Sequence, residues 1–237
     1  MQPLPMASRT LPVKRIEADA TEANAMTHPE TLPAILLAAG ASTRLGQPKQ
    51  LLRVRSPFEN ETDAAEWDTL LDRSLRVTLA AHCNPVFVVL GAHAETIQNT
   101  AQLVGGTILH NPNWQEGMAS SIRCGMQAMH KQTPEASGLL LLVCDQPALT
   151  HKHLQALLAA HRAAPEKIIA TRYAEQPGDK IFGVPILAPR SIFPELAALT
   201  GDHGAREILR SGKYGIVEIQ FPLGAWDIDS PEDIAAP

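Results

Sequence analysis

Short apolar runs alternate along this chain with longer segments in which apolar residues recur every three or four positions. The short runs predict buried strands, and the longer segments predict amphipathic helices. The predicted strands are 34–38, 86–90, 106–109, 139–144, 168–171, 181–187 and 215–220. The predicted helices are one beginning near Thr69, 94–103, one carrying Met118 and Met129, 151–163, 190–199, 204–211 and a short last helix from Pro231.

This alternation indicates an α/β fold, a Rossmann-like three-layer sandwich with a mostly parallel central sheet and right-handed crossovers. In such folds ligands bind beyond the carboxyl ends of the strands. Gly40, Gly91 and Asp145 each follow a predicted strand end. We therefore expect them to lie along one edge of the sheet.

Two segments interrupt the pattern. Residues 1–32 mix prolines and charges with small residues and show no sustained period, which predicts a mobile N-terminal tail, although a short helix within 16–26 is an alternative. Residues 33–237 are then expected to form a single domain. Within it, the polar segment 53–68 is interpreted as a small insertion.

The composition narrows the class of protein. Apolar residues make up 45% of the chain and the net charge is −5, which supports a real core and argues against general binding to nucleic acid or to anionic membranes. Cys83, Cys124 and Cys144 form no C-x-x-C pair and are expected to be free thiols. With no apolar run of about 18 residues and no signal-peptide pattern, we expect a soluble cytoplasmic protein.

The first predicted strand runs into a small, polar and cationic loop, in the sequence ILLAAGASTRLGQPKQLL at 35–52. Gly40 allows a sharp turn and close approach of the backbone to an anion, and Arg44 and Lys49 add two cations. The spacing fits neither a Walker loop nor G-x-G-x-x-G. The loop indicates a phosphate site, with an ordinary glycine turn as the alternative.

Three aspartates form a second set of candidate site residues. Asp145 ends an apolar strand, where a bound cation explains a carboxylate better than a cap for the helix that starts near Thr150. Asp227 and Asp229 lie near the C-terminus, in a segment that is also a plain capping sequence. Mg²⁺ binds to one or two carboxylates together with phosphate oxygens and water, so we expect Asp145 with Asp229, or with Asp227, to hold Mg²⁺.

The loop at 37–52 resembles the signature L-A-A-G-x-S-x-R-x-G-x-x-K-x-L-L of the MobA-like nucleotidyltransferase family and its molybdenum cofactor cytidylyltransferase branch. The resemblance continues through segments in the family order, covering the chain from Ile35 onward. They are His110–Gly125, Cys144-Asp145-Gln146-Pro147, Gly183-Val184-Pro185, Gly201–Arg206 and Asp227–Asp233. It implies a nucleotide-diphospho-sugar transferase type of fold and Mg²⁺-dependent nucleotidyl transfer.

The resemblance also implies a set of site residues. Lys49, Arg44 and Asp145 would be catalytic, with Lys49 on the α-phosphate and Arg44 on the β- and γ-phosphates. The helix start at Gly117–Ser121 has backbone N–H groups without intrahelical partners, and is a second candidate ligand site. The expected nucleotide-binding residues are Ala38, Ala39, Gly40, Ser42, Arg44, Lys49, Gly91, Gly117, Ser120 and Ser121.

The acceptor would be bound by Gly183, Pro185, Asp202 and Arg206. Core packing is an alternative role for Gly183 and Pro185, and holding the turn at 201–205 is one for Arg206. Family members that use GTP tend to carry Gly-Gly where Ala39-Gly40 stand here, so CTP is expected.

The implied reaction transfers CMP from CTP to the terminal phosphate of molybdopterin and releases pyrophosphate, with possible transfer of the product to a molybdenum enzyme or its chaperone. The alternatives are a guanylyltransferase, a sugar- or polyol-phosphate nucleotidyltransferase, or a non-catalytic module that handles the cofactor.

Overall fold

The computed structural model describes residues 31–53, 68–173 and 182–235. These residues contain one mixed sheet of strands β1 Ala34–Ala38, β2 Val86–Leu90, β3 Gly106–His110, β4 Gly138–Val143, β5 Ile168–Arg172, β6 Phe182–Pro189 and β7 Ile216–Gln220. The strand order is β3-β2-β1-β4-β6-β5-β7. Only β6 runs antiparallel to its neighbours β4 and β5, and the other pairs are parallel. The predicted α/β fold with a mostly parallel sheet is confirmed.

Helices cover both faces of this sheet. They are α1 Leu70–Ala80, α2 Ala94–Thr100, α3 Met118–Gln132, α4 His151–Ala163, α5 Phe193–Ala198 and α6 Ala205–Arg210. Side chains alternate across β1, so Leu36 packs with α1 and α4 while Ile35 packs with α3 and α5. Burying a leucine or isoleucine in either layer stabilises the fold by about 1.5–3 kcal/mol.

Several helix boundaries differ from the predictions. The helix predicted at 94–103 ends at Thr100, and Leu103 adopts a positive φ of 50° while its N–H donates to Asp72 at 2.9 Å. The helix predicted at 190–199 is divided into a 3-10 turn and α5, which starts next to Pro194. Proline lacks an N–H donor and has a fixed φ, so it favours a new helix start over continuation. The last helix, Pro231–Ala235, is a 3-10 helix.

The predicted tail and insertion fall mostly on residues 1–30 and 54–67, which lie outside the described residues. Leu32 is buried, at 5% exposure, and its carbonyl accepts a hydrogen bond from the Asn84 N–H. Arg53 pairs with Thr69 in an isolated antiparallel bridge, and the Leu70 N–H donates to the Leu52 carbonyl. The residues on the two sides of 54–67 therefore lie next to each other in the fold. Within the described ranges, every helix is too short or too polar to cross a membrane.

The carboxyl ends of β1, β2 and β4 meet at one edge of the sheet, because these strands pair in parallel. The Ala92 N–H donates to Ala39, the Cys144 N–H donates to Leu37, and the Ile228 N–H donates to Asp145. These bonds join the loops after the three strands to one another and to the C-terminal segment. Gly40, Gly91 and Asp145 are thereby brought to the same edge, as expected.

Candidate active site

The loop after β1 is held by hydrogen bonds within its own sequence. Its Ser42 carbonyl accepts from the N–H groups of Leu45 and Gly46, each at 3.1 Å, and its Ser42 Oγ accepts from the Lys49 N–H at 3.1 Å. Ser42 and Gly46 both have positive φ values, which short polar residues and glycine tolerate best. The backbone turns twice within a few residues, and this brings Lys49 back to the strand edge.

The ammonium group of Lys49 lies between two carboxylates. Its Nζ is 2.6 Å from Asp145 Oδ2 and 2.7 Å from Asp229 Oδ1. Arg44 Nη2 contacts the other oxygen of Asp229 at 2.6 Å. The Lys49 and Asp145 side chains are only 14% and 17% exposed, whereas Arg44 is 72% exposed. The structure therefore unites the three predicted catalytic residues and one predicted metal ligand in one charged cluster.

The cluster changes the protonation equilibria of its members. Burial alone would lower the pKa of Lys49, but the adjacent Asp145 and Asp229 outweigh it and raise that pKa above its ordinary value. The hydrogen bond from Lys49 lowers the pKa of Asp229. Partial burial, with the nearby Asp145 and Asp229 charges, raises the pKa of Asp227. Lys49 is therefore a stable cation, and the three carboxylates repel one another where no cation lies between them.

Two features of the carboxylates fit a divalent cation. Asp145 Oδ1 is buried and has no hydrogen-bond partner, which is costly for a carboxylate oxygen unless a cation binds it. The N–H groups of Asp229 and Ser230 donate to Asp233, so Asp233 is the residue that caps this segment, and the side chain of Asp229 is left to face Lys49. No group of three or more His, Cys, Asp or Glu arranged around one metal position occurs within the described residues. Asp145 and Asp229 match the smaller set that Mg²⁺ takes when phosphates complete its coordination.

A cavity of about 370 Å³ opens from Lys49 along the loop. Of the predicted nucleotide-binding residues, Ala38, Ala39, Gly40, Lys49, Gly117 and Ser121 line it. An added Cβ on Gly40 would meet no atom within 4 Å, so the cavity reaches the backbone there. The remaining four, Ser42, Arg44, Gly91 and Ser120, do not line this cavity.

Those four residues take other places around the cavity. Gly91 lies behind the wall, where a Cβ would be 2.5 Å from Trp114 Cβ and 2.8 Å from Ala39 Cβ. Ser120 is buried and donates to the Asn113 and Gly117 carbonyls, which holds the turn before α3. Ser42 fixes the loop and Arg44 reaches Asp229 at the rim. These four residues therefore support the structure around the cavity and do not form its surface.

A second cavity, of about 650 Å³, also adjoins the cluster. It is lined by Gly183, Asp202 and Arg206, which we predicted to bind the acceptor, and by Asp227. Pro185 does not line it, because its carbonyl faces Thr171 and accepts from Thr171 Oγ1 at 2.6 Å. Both cavities share Lys49, Met118, Val143, Asp145 and Asp202 in their linings. The charged cluster therefore stands at the junction of two ligand-sized spaces.

Comparison with known proteins shows the family to which this chain belongs. Residues 34–216 match the family model described as the MobA-like NTP transferase domain. The chain belongs to this family. It is therefore a nucleotidyltransferase enzyme, as the resemblance of its motifs implied.

Three relatives of this MobA-like enzyme illustrate the range of the family. The chain is 33% identical over 206 residues to "Nicotine blue oxidoreductase" of Paenarthrobacter nicotinovorans, covering 84% of this chain and 93% of that protein. It is 25% identical over 209 residues to "Molybdenum cofactor cytidylyltransferase" of Escherichia coli (strain K12), covering 84% and 91%. The crystal structure of Rv0371c of Mycobacterium tuberculosis H37Rv in complex with manganese shares 26% identity at a TM-score of 0.64, covering 86% and 96%.

Residues absent from our predictions also shape the site of this MobA-like enzyme. Gln50 is fully buried, and its Nε2 donates to the Ala38 and Gly40 carbonyls, each at 2.9 Å. Gln146 Nε2 reaches the Tyr173 hydroxyl at 2.8 Å, the Gly224 carbonyl at 2.7 Å and the Val184 carbonyl at 3.0 Å. Both glutamines directly follow a charged site residue in sequence, which was the available signal. They fix the loop and the wall of the larger cavity respectively.

Proposed function

We propose that this enzyme is an Mg²⁺-dependent cytidylyltransferase that transfers CMP from CTP to the terminal phosphate of molybdopterin. The observation that carries the proposal is the position of the cluster of Lys49, Asp145 and Asp229 between two cavities. A nucleotidyl transfer needs two substrates whose phosphates meet beside positioned cations. The relative from Escherichia coli, named a molybdenum cofactor cytidylyltransferase, supports the choice of substrates.

In the proposed reaction, an oxygen of the acceptor phosphate attacks the α-phosphorus of CTP. The bond from that phosphorus to the bridging oxygen of the β-phosphate breaks, and pyrophosphate leaves. Charge develops on the phosphoryl oxygens, so cations matter more than a proton-transfer base. Lys49 would contact the α-phosphate, and the exposed Arg44 can turn from Asp229 toward the β- and γ-phosphates. Mg²⁺ bound by Asp145 and Asp229, with Asp227 beside them, would neutralise charge on the phosphate oxygens.

The part of the smaller cavity beside Ala39, where the base would bind, favours a pyrimidine. Ala39 adds a methyl group to the wall of the smaller cavity, and Trp114 packs closely behind it through the space left by Gly91. We expect this methyl group to leave less room for a purine than for a pyrimidine beside the turn at Gly117. Calorimetric titration with CTP and GTP tests this step, and tighter binding of GTP would contradict it.

The larger cavity has room for a small-molecule acceptor. At about 650 Å³ it lies within the usual range of 300–1,000 Å³ for small-molecule sites. Arg206 is exposed on its wall and could bind an acceptor phosphate, while Gln146 and Tyr173 present polar groups. Transfer of the product to a molybdenum enzyme or its chaperone would follow. A sugar- or polyol-phosphate acceptor is the alternative within the same chemistry.

Pyrophosphate release measured with CTP or GTP, and with a panel of phosphorylated acceptors, tests the proposal. Mass spectrometry of the product identifies the acceptor. Lys49→Ala and Asp145→Ala should each reduce kcat/KM by about 10²–10³-fold, as removal of an electrostatic group at a transition state does. Lys213→Ala, at an exposed position away from both cavities, is the matched control. Near-normal turnover of either site variant would overturn the assignment.

Two other outcomes would indicate a different function. CTP binding without pyrophosphate release from any acceptor would favour a module that handles the cofactor without turnover. The relative named nicotine blue oxidoreductase suggests a second activity to assay. Oxidation or reduction of a substrate, without pyrophosphate release, would favour oxidoreductase chemistry.

A further inference from the structure

The ammonium group of Lys49 lies at the point on which two carboxylates converge. Asp145 Oδ2 and Asp229 Oδ1 both contact the same nitrogen, at 2.6 and 2.7 Å. A divalent metal bound by these two oxygens, at about 2.0–2.1 Å from each for Mg²⁺, would fall in nearly the same volume. An ammonium and a metal dication cannot share that volume.

The surroundings make Lys49 difficult to replace by a metal alone. Its side chain and that of Asp145 are largely buried, so solvent screens their interaction weakly. Arg44 occupies the remaining oxygen of Asp229 at 2.6 Å. A metal arriving without a phosphate ligand would have to displace one cation, lie beside another, and complete its coordination mostly with water.

One oxygen in the cluster is nevertheless left for a further cation. Asp145 Oδ1 is buried and unpartnered although Asp145 Oδ2 is bound to Lys49. Asp227 lines the same cavity as Asp145 and Asp229. The carboxylates therefore have capacity for a dication once Lys49 moves away from them.

We propose that Lys49 competes with the divalent metal for Asp145 and Asp229, so that the metal binds with the triphosphate and not before it. This inference rests on the proposed nucleotidyl transfer, in which the α-phosphate offers Lys49 a new anionic partner. Movement of the ammonium onto that phosphate frees both carboxylates at the moment when triphosphate oxygens become available to the metal. Metal and nucleotide binding are then coupled, and such coupling is reciprocal and commonly worth about 5–150-fold in affinity.

The test measures Mn²⁺ binding without nucleotide or acceptor, from the electron paramagnetic resonance signal of free hydrated Mn²⁺. Wild-type protein should bind Mn²⁺ weakly. Lys49→Met, which removes the ammonium and keeps an unbranched side chain, should bind it at least about tenfold more tightly, within the usual range of such coupling. Lys49→Arg should remain weak because it keeps the charge. Arg44→Met, at an exposed position that contacts Asp229 alone among the carboxylates of the cluster, should change the affinity less than Lys49→Met does.

Loss of stability in Lys49→Met is also informative, because the variant leaves buried carboxylates unpaired. Mn²⁺ should raise its melting temperature more than that of wild type, by binding to the folded state. The double variant Lys49→Met/Asp145→Asn should lose this effect. Equal Mn²⁺ affinity of wild type and Lys49→Met, or a Lys49→Met protein that stays unfolded with Mn²⁺ present, would overturn the inference.

The two proposals fail in different ways. Tight Mn²⁺ binding by wild-type protein alone would refute competition by Lys49 and leave CTP-dependent pyrophosphate release unaffected. Failure to use CTP or molybdopterin would refute the proposed substrates, yet the Mn²⁺ comparison between wild type and Lys49→Met would still stand.

Discussion

Gly91 lies directly behind the wall of the smaller cavity, the proposed nucleotide site, and its replacement by alanine tests the geometry of that wall. The new Cβ would lie 2.5 Å from Trp114 Cβ and 2.8 Å from both Cβ and the carbonyl oxygen of Ala39. Both neighbouring Cβ atoms are bonded directly to backbone, so rotation of a side chain cannot relieve the contacts. The two segments must separate, and overpacking of this kind costs about 1–3 kcal/mol of folding stability.

The same displacement should reach the ligand. Ala39 and Trp114 both line the nucleotide cavity, so their separation moves its walls without removing any charged group. We expect CTP to bind to Gly91→Ala about tenfold more weakly, which corresponds to about 1.4 kcal/mol. Urea denaturation measures the free energy of unfolding, and calorimetric titration measures CTP affinity.

Gly40→Ala provides the matched control on the facing loop. A Cβ at Gly40 meets no atom within 4 Å, so the free energy of unfolding should stay equal or rise by about 0.4–1 kcal/mol through the reduced entropy of the unfolded chain. The methyl group nevertheless projects where phosphates are proposed to approach, so CTP affinity should fall. Wild-type stability and CTP affinity in Gly91→Ala would refute the proposed role of Gly91 in spacing the wall.

Three other positions give separate predictions. Burial lowers the pKa of His153 from 6.5 to about 4, so its contribution of about 3 kcal/mol to the free energy of unfolding is present above pH 6.5 and lost as the pH falls toward 4. Urea denaturation across this pH range should show a smaller loss of stability in His153→Gln than in wild type. An unchanged pH profile in the variant would contradict this. Gln50→Leu removes two hydrogen bonds to the backbone at Ala38 and Gly40, and should lower the free energy of unfolding by about 1–3 kcal/mol. CTP binding should also weaken. An unchanged melting temperature would contradict this prediction. Gly183→Ala places a Cβ against the Tyr173 hydroxyl, closer than van der Waals contact allows. Steady-state kinetics should therefore show a higher KM for the acceptor and an unchanged KM for CTP, and the reverse pattern would exclude an acceptor-side role.

Much of the fold followed from local sequence. The predicted strands at 34–38 and 86–90 and the predicted helix at 151–163 match the structure residue for residue. These segments are strongly apolar or strongly periodic, so local and tertiary preferences agree. The errors fell at the ends of strands and helices, as at 101–103, where a hydrogen bond from Leu103 to Asp72 on a different helix decides the backbone conformation.

For the candidate site, too, the sequence predicted the features that depend on local residues. The sequence alone predicted Lys49, Asp145 and Asp229 as charged residues of one site, because their chemistry and motif order are local properties. It also indicated that Gly40, Gly91 and Asp145 share one sheet edge, since each follows a strand end. The polar partners of Gln50 and Gln146 are backbone carbonyls, which carry no residue-specific signal.

Tertiary structure decided which of these groups touch. Asp229 is 180 residues from Lys49 in sequence, and the hydrogen bond from the Ile228 N–H to the Asp145 carbonyl helps to hold its segment at the cleft. The same packing excluded Pro185 and Gly91 from the cavity linings and placed Lys49 in the linings of both cavities. The chemistry of each side chain can be seen from the sequence alone. Contact between residues distant in sequence depends on strand order and packing, and these depend on the whole chain.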